Sequence, residues 1–355
     1  MRVTPPITIT PSRLTSSTAT DIHAPAAYAG GTTYAFGAIV SVAADYQIYE
    51  SLAAANTGNT PLSSPLWWRI LGPTETAYDN TKINYALGQT ASANQRVYES
   101  RVLQTAVNPL PVLPETQTNF WIDVGPTNKY AMFDLSANTQ TVTASPMTVV
   151  IPPGQRINTV GLTGLVGNSL TISATSVFGG GTVYNKVIDL NSREVADGYD
   201  YAFEPFSTDP TAVVFDVSPY SDIIVTITIT STSGNVKCGS CVLGTFIYLG
   251  DAERGAANDG LNFSTVTRDL YGSATLVPRR TLPKTTQKLR VPAARVNKVK
   301  AARVLLNAKP ALWTGLDDSS NSYADMLTVL GIYTQFVITA SYPTHAEVTL
   351  SLEEI

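Results

Sequence analysis

The sequence predicts a mainly β protein with two small tandem three-stranded β modules, a β-sandwich and a small α+β C-terminal domain. Three observations support this fold class. A segment of about 50 residues occurs twice near the N-terminus, and several short strands with alternating apolar residues follow it. The last part of the chain then combines one amphipathic helix with long strands. At 355 residues the chain is long enough for several domains.

The repeat is the strongest signal. Residues 27–74 and 77–127 share landmarks, which indicates a tandem duplication. Each copy is expected to form a turn, two short strands, a loop rich in Pro, Asn or Gly, and a closing aromatic strand. The matched landmarks are Ala27-Tyr28 with Ala77-Tyr78, Tyr34 with Tyr85, Gly37 with Gly88, Tyr49-Glu50-Ser51 with Tyr98-Glu99-Ser100, Trp68 with Trp121, and Gly72-Pro73-Thr74 with Gly125-Pro126-Thr127.

Two adjacent tryptophans close the first copy. On a strand, Trp67 and Trp68 point to opposite faces. Because Trp68 has the counterpart Trp121, we place that pair in the core, whereas Trp67, which matches Phe120, is expected at the surface. The aromatic residues then have two interpretations, as structural or interfacial groups or as a sugar-binding surface.

The first copy resembles small chitin-binding-type carbohydrate-binding modules. The resemblance rests on Gly-Thr-Thr-Tyr, Gly-x-x-Val, Tyr, Asn-Thr-Gly-Asn-Thr-Pro and Trp-Trp in that order. In that family, exposed aromatic side chains stack on sugar rings. The second copy has Ala-Val-Asn-Pro-Leu-Pro in place of the loop, so weaker binding is expected there. We hypothesise a sugar-binding surface formed by Trp67, Tyr34, Tyr49, Asn56 and Asn59.

The rest of the chain alternates between strand and turn patterns. Val225, Ile227 and Ile229 alternate with threonines, and the segments 170–174 and 213–217 are further strand candidates. Beyond a polar connector at 251–262, residues 296–307 have the period of a helix, with Val296, Val299, Ala302 and Leu306 on one face. A strand is expected at Trp313, and two long paired strands around Tyr342-Pro343-Thr344. The expected domains are an N-terminal arm at 1–26, repeats at 27–76 and 77–127, a β-sandwich at 128–250 and an α+β assembly domain at 251–355.

Several segments resemble a widespread group of tailed-bacteriophage virion proteins. They are GPTNKYAMFD, FIYLGD, STVTRDLYGSATLVPRR and the C-terminal strands, and the resemblance covers most of residues 27–355. Members of that group often carry chitin-binding-like repeats at the N-terminus. The resemblance implies a structural protein of the tail or baseplate, assembled in the host cytoplasm into a virion with other tail subunits and with copies of itself. The alternative is a receptor-binding protein that recognises host surface glycan.

No motif indicates an enzyme, a cofactor or a metal site. GxSxG, HExxH and P-loop motifs are missing, and His23 and His345 are far apart in sequence. The carboxylate pairs Asp197/Asp200 and Asp317-Asp318 have no further support as catalytic groups. Cys238 and Cys241 are expected to be buried free thiols. No apolar run is long enough to predict membrane insertion.

Charge is scarce and unevenly distributed. Charged residues make up 14% of the chain and the net charge is −4, which argues against a general nucleic-acid binder. Residues 268–303 nevertheless hold ten Lys/Arg and one acid, Asp269. They are interpreted either as a solvated helix face and strand edge or as a surface that docks on an acidic neighbouring subunit. No aromatic stacking platform is interleaved in this segment, which disfavours nucleic acid. The docking hypothesis names Arg279, Arg280, Lys284, Lys288, Arg290, Lys298 and Lys300.

Overall fold

The chain folds into two compact units, and strands dominate both. The computed structural model describes residues 1–21, 25–42, 44–45, 47–73, 75–111, 117–192, 197–203, 207–232, 234–268, 271–316, 321 and 323–355. Residues 20–131 form what we call the repeat unit, and residues 1–19 with 132–355 form the larger unit. Strands hold 46% of the residues and helices 9%, so the mainly β class is confirmed. His23, Thr74, Asp269 and Asp317-Asp318 lie outside the described residues.

The first residues of the chain belong to the larger unit. They form β1 (Arg2–Thr4), a 3₁₀ turn (Pro11–Arg13) and β2 (Ser16–Ser17). β1 lies inside the C-terminal sheet of that unit, and β2 lies at the edge of a second sheet. Met1 and Val3 are buried in the core of the larger unit. The start of the expected N-terminal arm is therefore an integral part of the fold.

The two copies of the repeat share a three-stranded antiparallel meander, and the second copy has a fourth strand that pairs parallel to the first strand of its meander. The first copy contains β3 (Ile39–Val42), β4 (Gln47–Ser51) and β5 (Trp68–Pro73). The second contains β6 (Glu75–Ala77), β7 (Thr90–Ala93), β8 (Arg96–Ser100) and β9 (Trp121–Pro126). Ser51 lies opposite Trp68, and Ser100 lies opposite Trp121 in the same way. Both ladders also shift register just before the central tyrosine, Tyr49 or Tyr98. The strand order and register are thus those that a duplication predicts.

The next segment of the larger unit supplies a five-stranded and a three-stranded antiparallel sheet. The five-stranded sheet has the order β14-β13-β18-β11-β2, and the three-stranded sheet has the order β17-β12-β20. The inward side chains of β13 and β18 alternate as the sequence predicted, and those of Leu170, Ile172, Val225 and Ile227 are buried. The elements are β10 (Thr141–Ala144), β11 (Met147–Ile151), β12 (Thr159–Thr163), β13 (Ser169–Ser176), β14 (Thr182–Asp189), β15 (Asn191–Ser192), α1 (Gly198–Phe203), β16 (Ser207–Thr208), β17 (Thr211–Val214), β18 (Ile223–Thr230), β19 (Asn235–Cys238) and β20 (Ser240–Gly244).

An eight-stranded sheet forms the rest of the larger unit. Its path runs β21-β1-β27-β28-β29-β26-β22, and β23 also pairs with β26. The predicted long hairpin is confirmed, because β28 and β29 pair on either side of the turn at Tyr342. The elements are β21 (Ile247–Tyr248), β22 (Asp251–Ala252), β23 (Ala257–Asn262), β24 (Thr265–Arg268), β25 (Ala274–Val277), β26 (Thr281–Pro292), α2 (Val296–Leu305), β27 (Ala311–Thr314), β28 (Thr328–Thr339) and β29 (His345–Glu354).

The predicted helix is present and packs by the expected face. Val299, Ala302 and Leu306 are buried in one cluster with the inward residues of the eight-stranded sheet, and Val296 packs against that cluster. Apolar residues three and four apart meet on one side of a helix, which is why periodicity alone located this face. Within the described residues, no helix has the length and apolarity needed to cross a membrane.

The segment 251–262 corrects one prediction. It was expected to be a polar connector, but it contains the edge strands β22 and β23. Both pair with β26, for example Asp259 opposite Lys284. Here the strand is held by backbone hydrogen bonds to β26 rather than by burial of its own side chains. It therefore lacks the apolar alternation from which strands are recognised.

Candidate functional site

Each repeat is built around one aromatic triad. In the first copy, Tyr28 stacks on Tyr34 with 5.7 Å between ring centroids, and Trp68 meets both rings edge-on. The second copy repeats this arrangement with a 6.0 Å stack and an edge-on tryptophan. Offset and edge-on contacts of this kind stabilise small β modules that have little other core. The members of the second triad are Tyr78, Tyr85 and Trp121.

The tryptophans also hold the loops that precede the closing strands. Trp68 Nε1 donates to the carbonyl oxygen of Asn59 at 2.7 Å, and Trp121 Nε1 donates to that of Asn108 at 3.1 Å. Trp68 and Trp121 are 3% and 0% exposed, so their prediction as the core pair is confirmed. The indole ring thus fills the core while its N–H fixes the loop.

The structure separates the predicted sugar-binding residues into two groups. Tyr49 is buried in the core of the first repeat, and its hydroxyl donates to the Asp45 carboxylate. Burial, together with the hydrogen bond and negative charge of Asp45, raises the pKa of Tyr49 to about 12. Asn56 is also buried, where its Nδ2 donates to Ser51 Oγ at 3.0 Å. Tyr49 and Asn56 therefore support the fold and cannot reach a sugar.

Trp67, Tyr34 and Asn59 remain accessible, and each shares a hydrogen bond with Asn56. Trp67 lies in the turn before β5 and is 37% exposed, close to the 38% of its counterpart Phe120. Among the described residues, the ring contacts of Tyr34 are with Tyr28 and Trp68. Asn59 Nδ2 donates to Asn56 Oδ1 at 2.8 Å. The predicted cluster of Trp67 with Tyr34 and Tyr49 is therefore not formed.

The two copies differ in how far the stacked tyrosine rings of their aromatic triads are covered. In the second copy the Lys82 ammonium lies 4.4 Å from the centre of the Tyr85 ring, and Tyr85 is fully buried. In the first copy Thr32 stands at the position of Lys82, because Thr32 N–H donates to Ala29 as Lys82 N–H donates to Asp79, and both Tyr28 and Tyr34 stay half-buried. Sequence reasoning missed Tyr28 as a surface residue. The difference between Thr32 and Lys82 lies within the repeated segment and could have indicated it.

The basic segment turns out to be partly neutralised within the chain. Lys284 on β26 lies opposite Glu353, and Arg290 lies opposite Glu347. Opposite charges on neighbouring strands stabilise such pairs. Arg280 binds Glu354 through a 3.1 Å ion pair and also donates to Asn138. Burial raises the pKa of Glu354, an effect that the Arg280 charge opposes. Arg279, Lys288, Lys298 and Lys300 are exposed.

The same segment contains an exposed β arm, which we define as residues 257–284. β23 pairs with the start of β26, and β24 pairs with β25 further out. Among the described residues of the arm none is buried, although Phe263 is 50% exposed, Leu276 69% and Tyr271 94%. A two-stranded ribbon without a covered face is marginal in water. The arm therefore presents apolar and backbone groups that a partner can cover.

The described residues include no group of three His, Cys, Asp or Glu side chains that could hold a metal ion. His345 stacks on Tyr342 with 4.5 Å between ring centres. Asp197 accepts backbone N–H bonds from Tyr199 and Asp200 at the start of α1, which is a capping role.

The cysteine prediction is confirmed. Cys238 and Cys241 are buried free thiols on β19 and β20. Burial raises the pKa of the Cys238 thiol to about 12 and also raises the pKa of the Cys241 thiol well above its usual value. A thiol that stays protonated is a poor nucleophile and a poor metal ligand.

Comparison with models of known protein families finds no match, and comparison with curated proteins finds none either. Function is therefore argued from the chain's own surfaces.

Proposed function

We propose that this chain is a structural subunit of a larger particle, a bacteriophage tail or baseplate, that is built into its neighbours through the larger unit. The observation that carries the proposal is the β arm, because its two strands extend from the eight-stranded sheet without a buried residue among those described. Such a ribbon gains stability when another subunit covers it. The choice of a phage particle comes from the sequence resemblance to tailed-phage virion proteins.

Labelling of particles tests this function. An antibody raised against the purified chain should decorate the tail or baseplate of particles from cells that express it, as seen by immunogold electron microscopy. The same antibody preadsorbed with the purified chain is the control, and it should give no decoration. Purified particles that contain none of the chain would contradict the proposal.

The second candidate function is recognition of a host surface glycan by the first repeat. The observation that favours it is the half-buried stacked pair Tyr28 and Tyr34, because in the second repeat Lys82 covers the ring of Tyr85, the counterpart of Tyr34. Sugar rings pack their C–H groups on aromatic faces of this kind. In a phage particle the two functions are compatible, because the repeats form a unit separate from the larger one.

Sugar titration tests the second candidate. Chitin oligomers and host polysaccharide added to the full chain should change its tryptophan fluorescence. Thr32→Lys should abolish the change, because it introduces at this exposed position the side chain that covers the ring in the second repeat. Phe120→Ala in the second repeat is the matched control and should respond like the unmodified chain. No response at millimolar sugar, or an equal response from Thr32→Lys, would contradict binding at this surface.

A further inference from the structure

A slot lies between two edge strands of the larger unit. β14 is the last strand of the five-stranded sheet, and β17 is the last strand of the three-stranded sheet. The cavity between them has a volume of about 360 Å³. Edge strands carry unpaired backbone N–H and C=O groups, which can receive a further strand. The residues that line the slot are Lys186, Val187, Ile188, Asp189, Leu190, Asp209, Thr211, Ala212 and Val213.

Both ends of the slot are fixed by contacts between its two sides. At one end β15 pairs with β16, with Asn191 opposite Thr208. At the other end the Tyr184 hydroxyl donates to Asp216 Oδ1 at 2.7 Å, and Lys186 Nζ lies 3.9 Å from Asp216 Oδ2. The five β14-side residues 186–190 span about 17 Å at ~3.4 Å per residue. The opening therefore has the length of a short strand.

The slot and the β arm are complementary in size and chemistry. β24 and β25 are each four residues long, and Val266 faces Leu276 across them, both exposed. The slot offers apolar groups, such as Val187 and Ile188, for a ribbon of this length. Its lining carries Asp189 and Asp209 and one cation, Lys186, which lies 3.9 Å from Asp216, whereas the outer arm carries Arg268 and Arg279. Opposite charges at the rim favour this docking.

The same charges disfavour a contact between two arms. In a contact between two arms, Arg268 and Arg279 meet no acidic partner, because the described residues 263–268 and 271–279 include no Asp or Glu, and like charges at an interface are costly. Arm-to-slot docking avoids this repulsion. It also gives each copy one donor surface and one acceptor surface, which is the requirement for a heterologous contact that builds a ring or a filament.

We propose that the β arm of one copy docks in the slot between β14 and β17 of a second copy of this chain. The inference rests on the proposed function as a structural subunit, and it names the partner and the surface. The arm adds a strand beside β14 while its apolar residues fill the slot, so both exposed edges are covered by one contact. The assembly grows head to tail.

The test uses two exposed positions in the full chain. Leu276→Asp places a charge on the arm, and Val187→Asp places one beside the slot; the two residues are 69% and 64% exposed in the single copy. Val304→Asp on α2 is the matched control, at a position that is 70% exposed. Circular dichroism confirms that each variant keeps its strands. Sedimentation velocity over a concentration series then measures self-association.

The proposal predicts a distinct result for mixtures. The unmodified chain and Val304→Asp should associate, and each of the other variants should associate more than about tenfold more weakly, because burying an unpaired charge is costly. Leu276→Asp keeps its slot and Val187→Asp keeps its arm. An equal mixture of them should therefore form a dimer that grows no further.

Three results would overturn the proposal. They are full association by Val187→Asp alone, a mixture in which the two variants stay separate, and an unmodified chain that remains monomeric throughout the series. Particle labelling is independent of this assay. If particles contain the chain while any of the three results is obtained, the structural function stands and the partner of the arm is a different subunit.

Discussion

The two neighbouring aromatic residues at the end of each repeat differ in burial. Trp68 and Trp121 are fully enclosed, whereas their chain neighbours Trp67 and Phe120 are more than one third exposed. The buried pair closes both triads and holds both loops through its indole N–H groups. Stability of each repeat should therefore depend on one tryptophan and not on the aromatic residue beside it.

Truncation of the tryptophans tests this division. Trp68→Ala and Trp121→Ala should each lower the free energy of unfolding of the repeat unit by about 3–5 kcal/mol, as for other buried aromatic residues. Trp67→Ala and Phe120→Ala, the matched controls, should cost less than about 1 kcal/mol. Chemical denaturation of the full chain, followed by fluorescence, measures these values. Equal losses at Trp67 and Trp68 would contradict the assignment of core and surface.

Tyr49 predicts a specific loss of stability in alkali. Its pKa is raised from 10.0 to about 12 in the folded chain, so the folded state favours the protonated phenol. The stabilisation is fully present below pH 10.0 and is lost as the pH rises towards about 12. In Tyr49→Phe this component of the pH dependence should disappear. Unfolding free energies of both chains between those two pH values provide the measurement, and identical slopes would refute the prediction.

Sequence patterns located those helices and strands that are held in place by burial of their side chains. The face of α2 followed from its period, and the strands β13 and β18 followed from their alternation. The strands β22 and β23 were not predicted, because their pairing with β26 uses backbone hydrogen bonds and leaves polar side chains exposed. The charge pairs of Lys284 with Glu353 and of Arg290 with Glu347 were not predicted, because the two members of each pair are distant in sequence.

The same limit applies to the candidate sugar surface. The repeat indicated which aromatic residues correspond, and it placed Trp68 and Trp121 correctly in the core. It did not show that Tyr49 points inward, because both faces of β4 are covered at Ile48 and Tyr49. Strand alternation assigns one face to solvent only where a strand is half-buried.

Removal of the β arm tests whether it serves the fold. Replacing residues 263–279 by an Asn-Gly turn should leave the melting temperature of the larger unit within a few degrees of the original, because no described arm residue is buried. Differential scanning calorimetry measures this change. The matched control is Leu306→Ala in the core next to α2, which should destabilise the same unit by roughly 2–5 kcal/mol. A loss of that size on shortening the arm would show that it supports the fold.

For the whole molecule, the central claim is that this chain is built into a particle by surfaces that a single copy leaves open. The chain is low in charge, and it exposes an apolar arm and two sheet edges. These features are expected of a subunit whose exposed arm and sheet edges are covered by neighbouring subunits.

An electron cryomicroscopy map of the particle that contains this chain tests the claim most directly. If the chain is such a subunit, residues 257–284 of each copy are covered by a neighbouring subunit in the tail or baseplate. A map in which this arm is surrounded by solvent in every copy would contradict it.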